Sequence, residues 1–451
     1  MIKTTIKKMS DAYFDQHLLE ITKKAGASLG IKVITMVLAF ATSVYLGRTL
    51  GADGLGKINL ANKILSLFTL VTALGLGDVI MKEVAIGGEK GNFGFVHAVI
   101  NRSKNLSIGF GLFLTVGLLL LVPYFSITFF KDPSLKFPLT LFIIGLIPFT
   151  LISLNSWALR GMKFTWQANT LQESIGTLIR SVVIFAVGFF GLSLTVDNVA
   201  IIYLGSFFLV FIISQGYLIK TFKPVEKKRA SVSNRYLLKT SLPLLVVSSM
   251  GVLSTSTDTI MLGWLESTAE VGLYSVASRL AFLTNFLLII SNSIIAPKIA
   301  SLYAEGKIRE LELMVQKLTL SLIIVGIFTL FFYVLFGQQM LTLWGEEFGL
   351  ANKVLILLAI GQFINVCTGA VGYLLTMCGY ERLLGKVSIT FGLLNIFLNF
   401  FFIKIWGAWG AALATAITIG IENFAKAVLV YNRMKIMTLP FFLIRTYKKR
   451  Q

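Results

Sequence analysis

The chain has 451 residues, of which 56% are hydrophobic and 14% are charged, and its mean hydropathy is +0.81. An average soluble chain carries roughly 25% charged residues and needs a polar exterior. That excludes a soluble enzyme, a disordered chain, a secreted disulfide scaffold and collagen, and leaves a protein whose solvent is lipid. The net charge of +20 fits basic loops kept on the cytoplasmic side of a membrane, and argues against nucleic acid as a partner.

Residues 1–24 come first, a cytoplasmic segment with five lysines among Tyr13, Phe14, Leu18, Leu19 and Ile21. The pattern fits an amphipathic helix on the inner membrane face or a disordered tail, and no cleavable signal peptide is seen. A spanning helix needs about 20 mostly apolar residues. Twelve such spans are predicted: 25–47, 57–82, 106–130, 138–160, 171–191, 199–220, 237–262, 272–296, 318–337, 353–378, 385–405 and 408–430. With the N-terminus inside, the inner segments hold 31 Lys and Arg and the outer loops 6. This bias supports the span count and places both termini in the cytoplasm. The longest inner connection, 221–236, contains Lys227-Lys228-Arg229 and reads as a linker between an N-lobe (25–220) and a C-lobe (237–430), with a basic cytoplasmic tail at 431–451. The predicted fold is an all-α polytopic membrane protein of two six-helix lobes.

Transporters are often built from repeats. A shift of 216 residues lays 41–85 on 257–301, pairing Gly47 with Gly263, Gly56 with Gly272, Ala61 with Ala277, Lys82 with Lys298 and Lys63 with Arg279. Six identities in 45 positions barely exceed what apolar composition gives by chance. The coincidence of span ends without a gap is the stronger sign of a parallel six-plus-six repeat.

Pro123, Pro148, Pro243 and Pro297 fall within or at the ends of spans, where each removes a backbone hydrogen bond and permits a kink. Cys367 and Cys378 share one span, and eleven helical residues separate them by about 16 Å, too far for a disulfide. His17 and His97 are the only histidines, so a His/Cys metal site is not expected. Gly51-Ala52-Asp53-Gly54-Leu55-Gly56 lacks the Lys-Ser/Thr ending and the preceding strand of a phosphate-binding loop. The run Gly407-Ala408-Trp409-Gly410-Ala411-Ala412 reads as a small-residue packing face.

Ionisable side chains at membrane depth cost roughly 2.5–3.5 kcal/mol on insertion scales and mark cavities or partners. Lys32, Lys63, Arg180 and Arg279 form a deep cationic set, with Arg48 just beyond span 1, and only Asp258 opposes it. Snorkelling to an interface is the competing explanation for Lys32, Lys63 and Arg279. A cationic cavity favours an anionic cargo, and phosphate or diphosphate is a natural partner of Arg. Asp258 lies in the run Ser254-Thr255-Ser256-Thr257-Asp258-Thr259, which cannot all face lipid. It is read as a counter-ion or as a coupling site for H+ or Na+, against an interfacial carboxylate. Asp78, near the inner end of span 2, is the other candidate of this kind. No further cofactor is expected.

The segment Leu46-Gly47-Arg48-Thr49-Leu50-Gly51-Ala52-Asp53-Gly54-Leu55-Gly56 resembles the signature of Wzx-type polysaccharide flippases. So do Asp258-Thr259-Ile260-Met261-Leu262-Gly263 and Val271-Gly272-Leu273-Tyr274-Ser275-Val276-Ala277-Ser278-Arg279-Leu280. These flippases belong to the multidrug/oligosaccharidyl-lipid/polysaccharide exporter superfamily. The resemblance implies two six-helix lobes around a central cavity. It also implies a protein that is no enzyme, moving an undecaprenyl-diphosphate-linked oligosaccharide, such as an O-antigen precursor, from the inner to the outer leaflet of a bacterial inner membrane by alternating access. Polymerase and glycosyltransferase machinery are the implied partners. Arg279 matches a motif position, whereas Lys32, Lys63 and Arg180 rest on the span argument. The alternatives are an ion-coupled multidrug exporter of the same superfamily, a membrane-embedded glycosyltransferase or polymerase, and a structural membrane protein. Span 1 has a lysine and no acid, which disfavours the drug exporter, and outer acids are too scattered for a transferase.

Overall fold

The computed structural model describes residues 16–222 and 232–440. The N-terminal segment up to residue 15, most of the 221–236 linker and the tail from residue 441 lie outside them. The described chain is mostly helical, and every predicted span is helical over most of its length.

Helix α1 (Gln16–Thr72) carries the first span and most of the second, and turns at Gly51, whose φ of 69° and ψ of −178° are not helical. Glycine is required there because a Cβ disfavours such a positive φ. The predicted outer loop 48–56 is therefore helix on both sides of one glycine. After Leu74 and Gly75, both with positive φ, α2 (Leu76–Glu89) completes the second span. Next come α3 (Phe93–Tyr124), α4 (Lys136–Ile144) and α5 (Leu146–Gly161). The last two are bent by 41° at Gly145. Pro123 ends α3 just before a wide helical turn at Phe125–Phe129. A second wide turn, Thr170–Ser174, separates α6 (Thr165–Asn169) from α7 (Ile175–Phe189), and α8 (Val196–Thr221) follows.

The second sequence half holds α9 (Asn234–Leu265), α10 (Thr268–Ala304) and α11 (Ile308–Leu341). It continues with α12 (Asn352–Thr368), α13 (Val371–Met377) and α14 (Glu381–Met434), which turns at Gly407 with φ 56°. Among the described residues eight helices are long and apolar enough to cross a membrane, or nine if the bent pair around Gly145 is one span. Two of these, α1 and α14, each hold two predicted spans. With α9 as a further span, the twelve are accounted for.

By contact the chain forms two units that cut across the sequence halves. One comprises α1 up to Tyr45, Phe68–Leu120 and Thr140–Leu245; the other comprises Leu46–Leu67, Leu121–Leu139 and Val246 onward. The core of the first unit lies where α2, α3, α5 and α8 meet, in Val79, Ile80, Val96, Val99, Leu154 and Leu218. A core of the second gathers Ile299, Leu311, Val315, Leu374, Leu375 and Val430. Large apolar side chains also point outward, with Phe113 76%, Leu120 77% and Phe189 87% exposed, as lipid-facing residues should. Polar groups turn inward: buried Asn155 donates to the Ser214 hydroxyl at 3.0 Å, helix-to-helix bonding suited to an apolar solvent. The small-residue run of α14 packs as expected, with Ala408, Gly410, Ala411 and Ala412 buried.

The break before α2 generates a prediction. A methyl group at Gly75, where φ is 67°, would lie 2.4 Å from the Ser241 carbonyl oxygen. Gly75→Ala is expected to destabilise the protein by at least the about 1–2 kcal/mol of a left-handed non-glycine residue. Gly117→Ala, with nothing within 4 Å, is expected to hold or raise the thermal midpoint, since alanine favours helix by about 1 kcal/mol. Thermal unfolding in detergent checks both.

Candidate functional site

In the second contact unit, the polar run of α9 turns into the protein. Ser256, Thr257, Asp258 and Thr259 are all buried, and Asp258, 8% exposed, is enclosed by protein. Its Oδ2 accepts hydrogen bonds from the Tyr274 hydroxyl at 2.5 Å and the Thr415 hydroxyl at 2.8 Å. Its Oδ1 accepts from Asn399 Nδ2 at 2.8 Å. Asn399 Nδ2 also reaches the Asn395 carbonyl at 3.0 Å. Two helices thus supply three donors to one carboxylate: α10 gives Tyr274, and the two arms of α14 give Asn399 and Thr415. Burying a carboxylate is tolerable only when its lone pairs are satisfied in this way.

Lys63 and Arg279, paired by the 216-residue shift, belong to the same unit. Lys63 Nζ donates to the Thr255 carbonyl at 2.7 Å, and both Asp258 and Arg279 lie within electrostatic range of it. The structure therefore brings Lys63 to the candidate acid and Arg279 to Lys63. The Tyr274, Asn399 and Thr415 shell escaped the sequence reading. Tyr274 is sixteen residues from Asp258 on the next helix, and the other two lie more than 140 residues away.

The other candidates lie elsewhere. In the first unit, Lys32 pairs with Glu173 at 3.3 Å, both well exposed. Glu173 also acts electrostatically on Arg160, as does Asp78. Arg160 donates to Asn169 at 3.0 Å and Gln172 at 2.9 Å, and its guanidinium sits 4.6 Å from the Trp157 ring centre. Arg180 packs inside the same unit: its guanidinium lies 4.6 Å from the centre of Tyr203 and donates to Ser206 at 3.3 Å and Thr177 at 3.2 Å. Arg48 is exposed and donates to the Leu343 carbonyl at 2.7 Å. The reading of four deep cations opposed by Asp258 alone is thus corrected. Glu173 opposes Lys32, and aromatic and hydroxyl groups hold Arg180. Arg160 ends a predicted span and Glu173 begins one, positions where a charge draws no notice in the sequence; Trp157, three residues before Arg160 on the same helix face, is the available signal. Among the described residues no group of three or more His, Cys, Asp or Glu is placed to hold a metal ion.

A bundle of membrane helices with charged and carboxamide groups buried between them is the architecture of a polytopic transporter. Solved structures agree on the fold. A multidrug-resistance MATE transporter in an inward-facing conformation superimposes with a TM-score of 0.72 at 15% identity, covering 89% of this chain and 94% of that one. The lipid II flippase MurJ, in an inward closed conformation, gives 0.70 at 18%, covering 90% and 87%. The chain belongs to the family described as polysaccharide biosynthesis protein, which matches residues 21–303; the MatE family matches 243–401. A probable low-salt glycan biosynthesis flippase, Agl15 of Haloferax volcanii, is 23% identical over 86% of this chain and 79% of its own length. The capsular polysaccharide biosynthesis protein CapF of Staphylococcus aureus is 24% identical over 42% of this chain, and the match spans about half of CapF, 48%.

The shell around Asp258 has a measurable worth. A hydrogen bond to a charged group contributes about 1.5–3 kcal/mol. Tyr274→Phe is therefore expected to lower stability by that order, and Tyr274→Phe combined with Asp258→Asn by less than the sum of the two single changes. Thermal unfolding of the four proteins in a double-mutant cycle checks this coupling.

Proposed function

We propose that this protein is a flippase that moves a polyprenyl-diphosphate-linked oligosaccharide, undecaprenyl in a bacterium, from the cytoplasmic to the outer leaflet by alternating access. The proposal places it in the inner membrane with both termini in the cytoplasm, as a transporter and not a catalyst. The flippases among its relatives and the MurJ-like fold support this class of cargo. The observation that carries the mechanism is the grouping of Lys63 with Arg279, Lys63 also lying within electrostatic range of buried Asp258. Two cations from repeat-related helices offer a diphosphate two points of attachment, and Arg can engage it bidentately. Lys32, Arg160 and Arg180 would meet the headgroup earlier on its path, where a diphosphate competes with Glu173 for Lys32. The prenyl tail stays in lipid.

Asp258 is the proposed coupling site. Its hydroxyl and carboxamide neighbours suit a proton or Na+ that neutralises the carboxylate and loosens its hold on α10 and α14. The membrane potential favours outward movement of negative charge from a negative interior. Polymerases and glycosyltransferases that use the flipped lipid are the proposed partners. An ion-coupled multidrug exporter is the rival reading, supported by the MATE fold and by the MatE family match over residues 243–401.

Reconstitution into liposomes tests the proposal. Undecaprenyl-diphosphate oligosaccharide is expected to reach the far leaflet, while a neutral prenyl-linked sugar does not. Replacing both Lys63 and Arg279 with Ala is expected to abolish the movement in a protein that still folds. Full transport by that double variant would overturn the cationic-site mechanism. Ion-coupled efflux of a dye cation with no lipid movement would establish the rival instead.

A further inference from the structure

The shift that pairs Gly56 with Gly272 also pairs Ala52 with Thr268. A methyl group at Gly56 would lie 1.7 Å from the Thr268 carbonyl oxygen and 2.9 Å from Gly272 N, and one at Gly272 would lie 1.9 Å from the Ala52 carbonyl oxygen. The contact is reciprocal: each glycine presses on the backbone of the residue four before its mate. That is the signature of a two-fold contact. It is direct structural support for a repeat that the sequence identities barely carried. Only glycine lets two helices touch this closely, with van der Waals and Cα–H···O contact in place of interlocked side chains.

A charged network surrounds the crossing within the same contact unit. Lys57, 8% exposed, donates to Asp53 at 2.5 Å and pairs with Asp132 at 3.3 Å. The Thr268 hydroxyl bonds to Asp53 and lies 3.0 Å from Asp132. Burial pushes the Asp132 carboxyl up, but hydrogen bonds from Ser134 and Thr268 and the charge of Lys57 hold it below the usual range. On the other flank Glu347 accepts from Ala52 N–H at 2.7 Å, capping the helix that restarts after Gly51. Fully buried Trp344 packs against Gly47. The turn of α1, the 121–139 connection, the start of α10 and the 342–351 segment are thereby tied together. All lie on the side that the Lys and Arg count assigns to the exterior. The shift carries Asp53 to Ala269 and Lys57 to Leu273. The crossing is symmetric, but Lys57, Asp53 and Asp132 all come from the first half, and the second half reaches these carboxylates through the Thr268 hydroxyl.

We infer that this crossing is the outer gate of the transport path, shut by the Gly56–Gly272 contact and latched by the Thr268 hydroxyl on Asp53 and Asp132, two carboxylates that Lys57 holds in place. Its role as a gate rests on the transport reading; its closure is read without any cargo. A backbone-to-backbone contact parts cleanly because no side chains must disengage. The Thr268 hydrogen bonds then set how often it parts, Lys57 sets how firmly their two acceptors are held, and all of these groups regain water when exposed.

The test uses the full-length protein with Cys367→Ser and Cys378→Ser, and a reporter thiol at Leu60→Cys, which is fully buried and packs against Gly263. A membrane-impermeant maleimide is applied from the outside. Lys57→Met and Gly272→Ala are each expected to speed labelling about tenfold, the population change that follows a loss of about 1.4 kcal/mol from the closed state. Gly117→Ala, outside the crossing, is expected to leave it unchanged. Where Gly272→Ala fails to fold, Asp132→Asn tests the latch with a near-isosteric change. Unchanged labelling in folded latch variants would overturn the gate. The labelling is read without lipid cargo. Accelerated labelling together with absent oligosaccharide transport would keep the gate and discard the cargo; normal transport with unresponsive labelling would do the reverse.

Discussion

In the hydrocarbon of a membrane every backbone N–H and C=O must find its partner inside the protein. The rest of the structure follows from that constraint. It dictates helix for nearly all described residues, and it dictates where helix is permitted to break. Gly75 and Gly369 are buried, so the breaks they make are sheltered by neighbouring helices. Local bonds take up the freed groups: Ala73 N–H donates to the Thr69 carbonyl, Leu76 N–H to Ala73 and Gly369 N–H to Val366. The same logic turns Asp258 inward. A carboxylate in an apolar solvent must be solvated by the protein, and here three side chains from α10 and α14 perform that task.

Solvating a charge with side chains from several helices also makes the position of those helices depend on the charge. A carboxylate that accepts three hydrogen bonds gathers its donors. The same group neutralised, by a proton or a metal cation, competes for them less strongly. Lys63 sits close enough to respond to that change, and Arg279 lies within electrostatic range of Lys63. In the proposed cycle, one buried group therefore links the ion-binding state to the cations that receive the lipid headgroup.

The sequence showed clearly whatever depends on composition along one segment. Apolar runs located the helices, and the polar run ending at Thr259 announced a buried face of α9. What depends on partners distant in the chain stayed hidden. Nothing local to Lys32 tells of Glu173, and nothing local to Asp258 tells of Asn399 or Thr415. The two outer turns were read as loops because Gly51 and Gly407 stand among residues that end apolar runs; a single glycine with positive φ suffices for each. The repeat shows both limits at once. Identities at a fixed shift were close to background, yet the shift was correct in register to the residue, because Gly56 and Gly272 meet at their backbones.

That reciprocal crossing says something about ancestry and assembly. Residues of one sequence half rest on their own counterparts in the other, as the two protomers of a symmetric dimer would. The chain therefore carries within itself the kind of interface that a half-sized ancestor would have had to find in a second copy. Covalent linkage removed the need for both sides to stay alike, and the acid and base at Asp53 and Lys57 have no equivalents at Ala269 and Leu273. A chain so arranged can keep the shape of the contact in both halves while only one half gives it a charge.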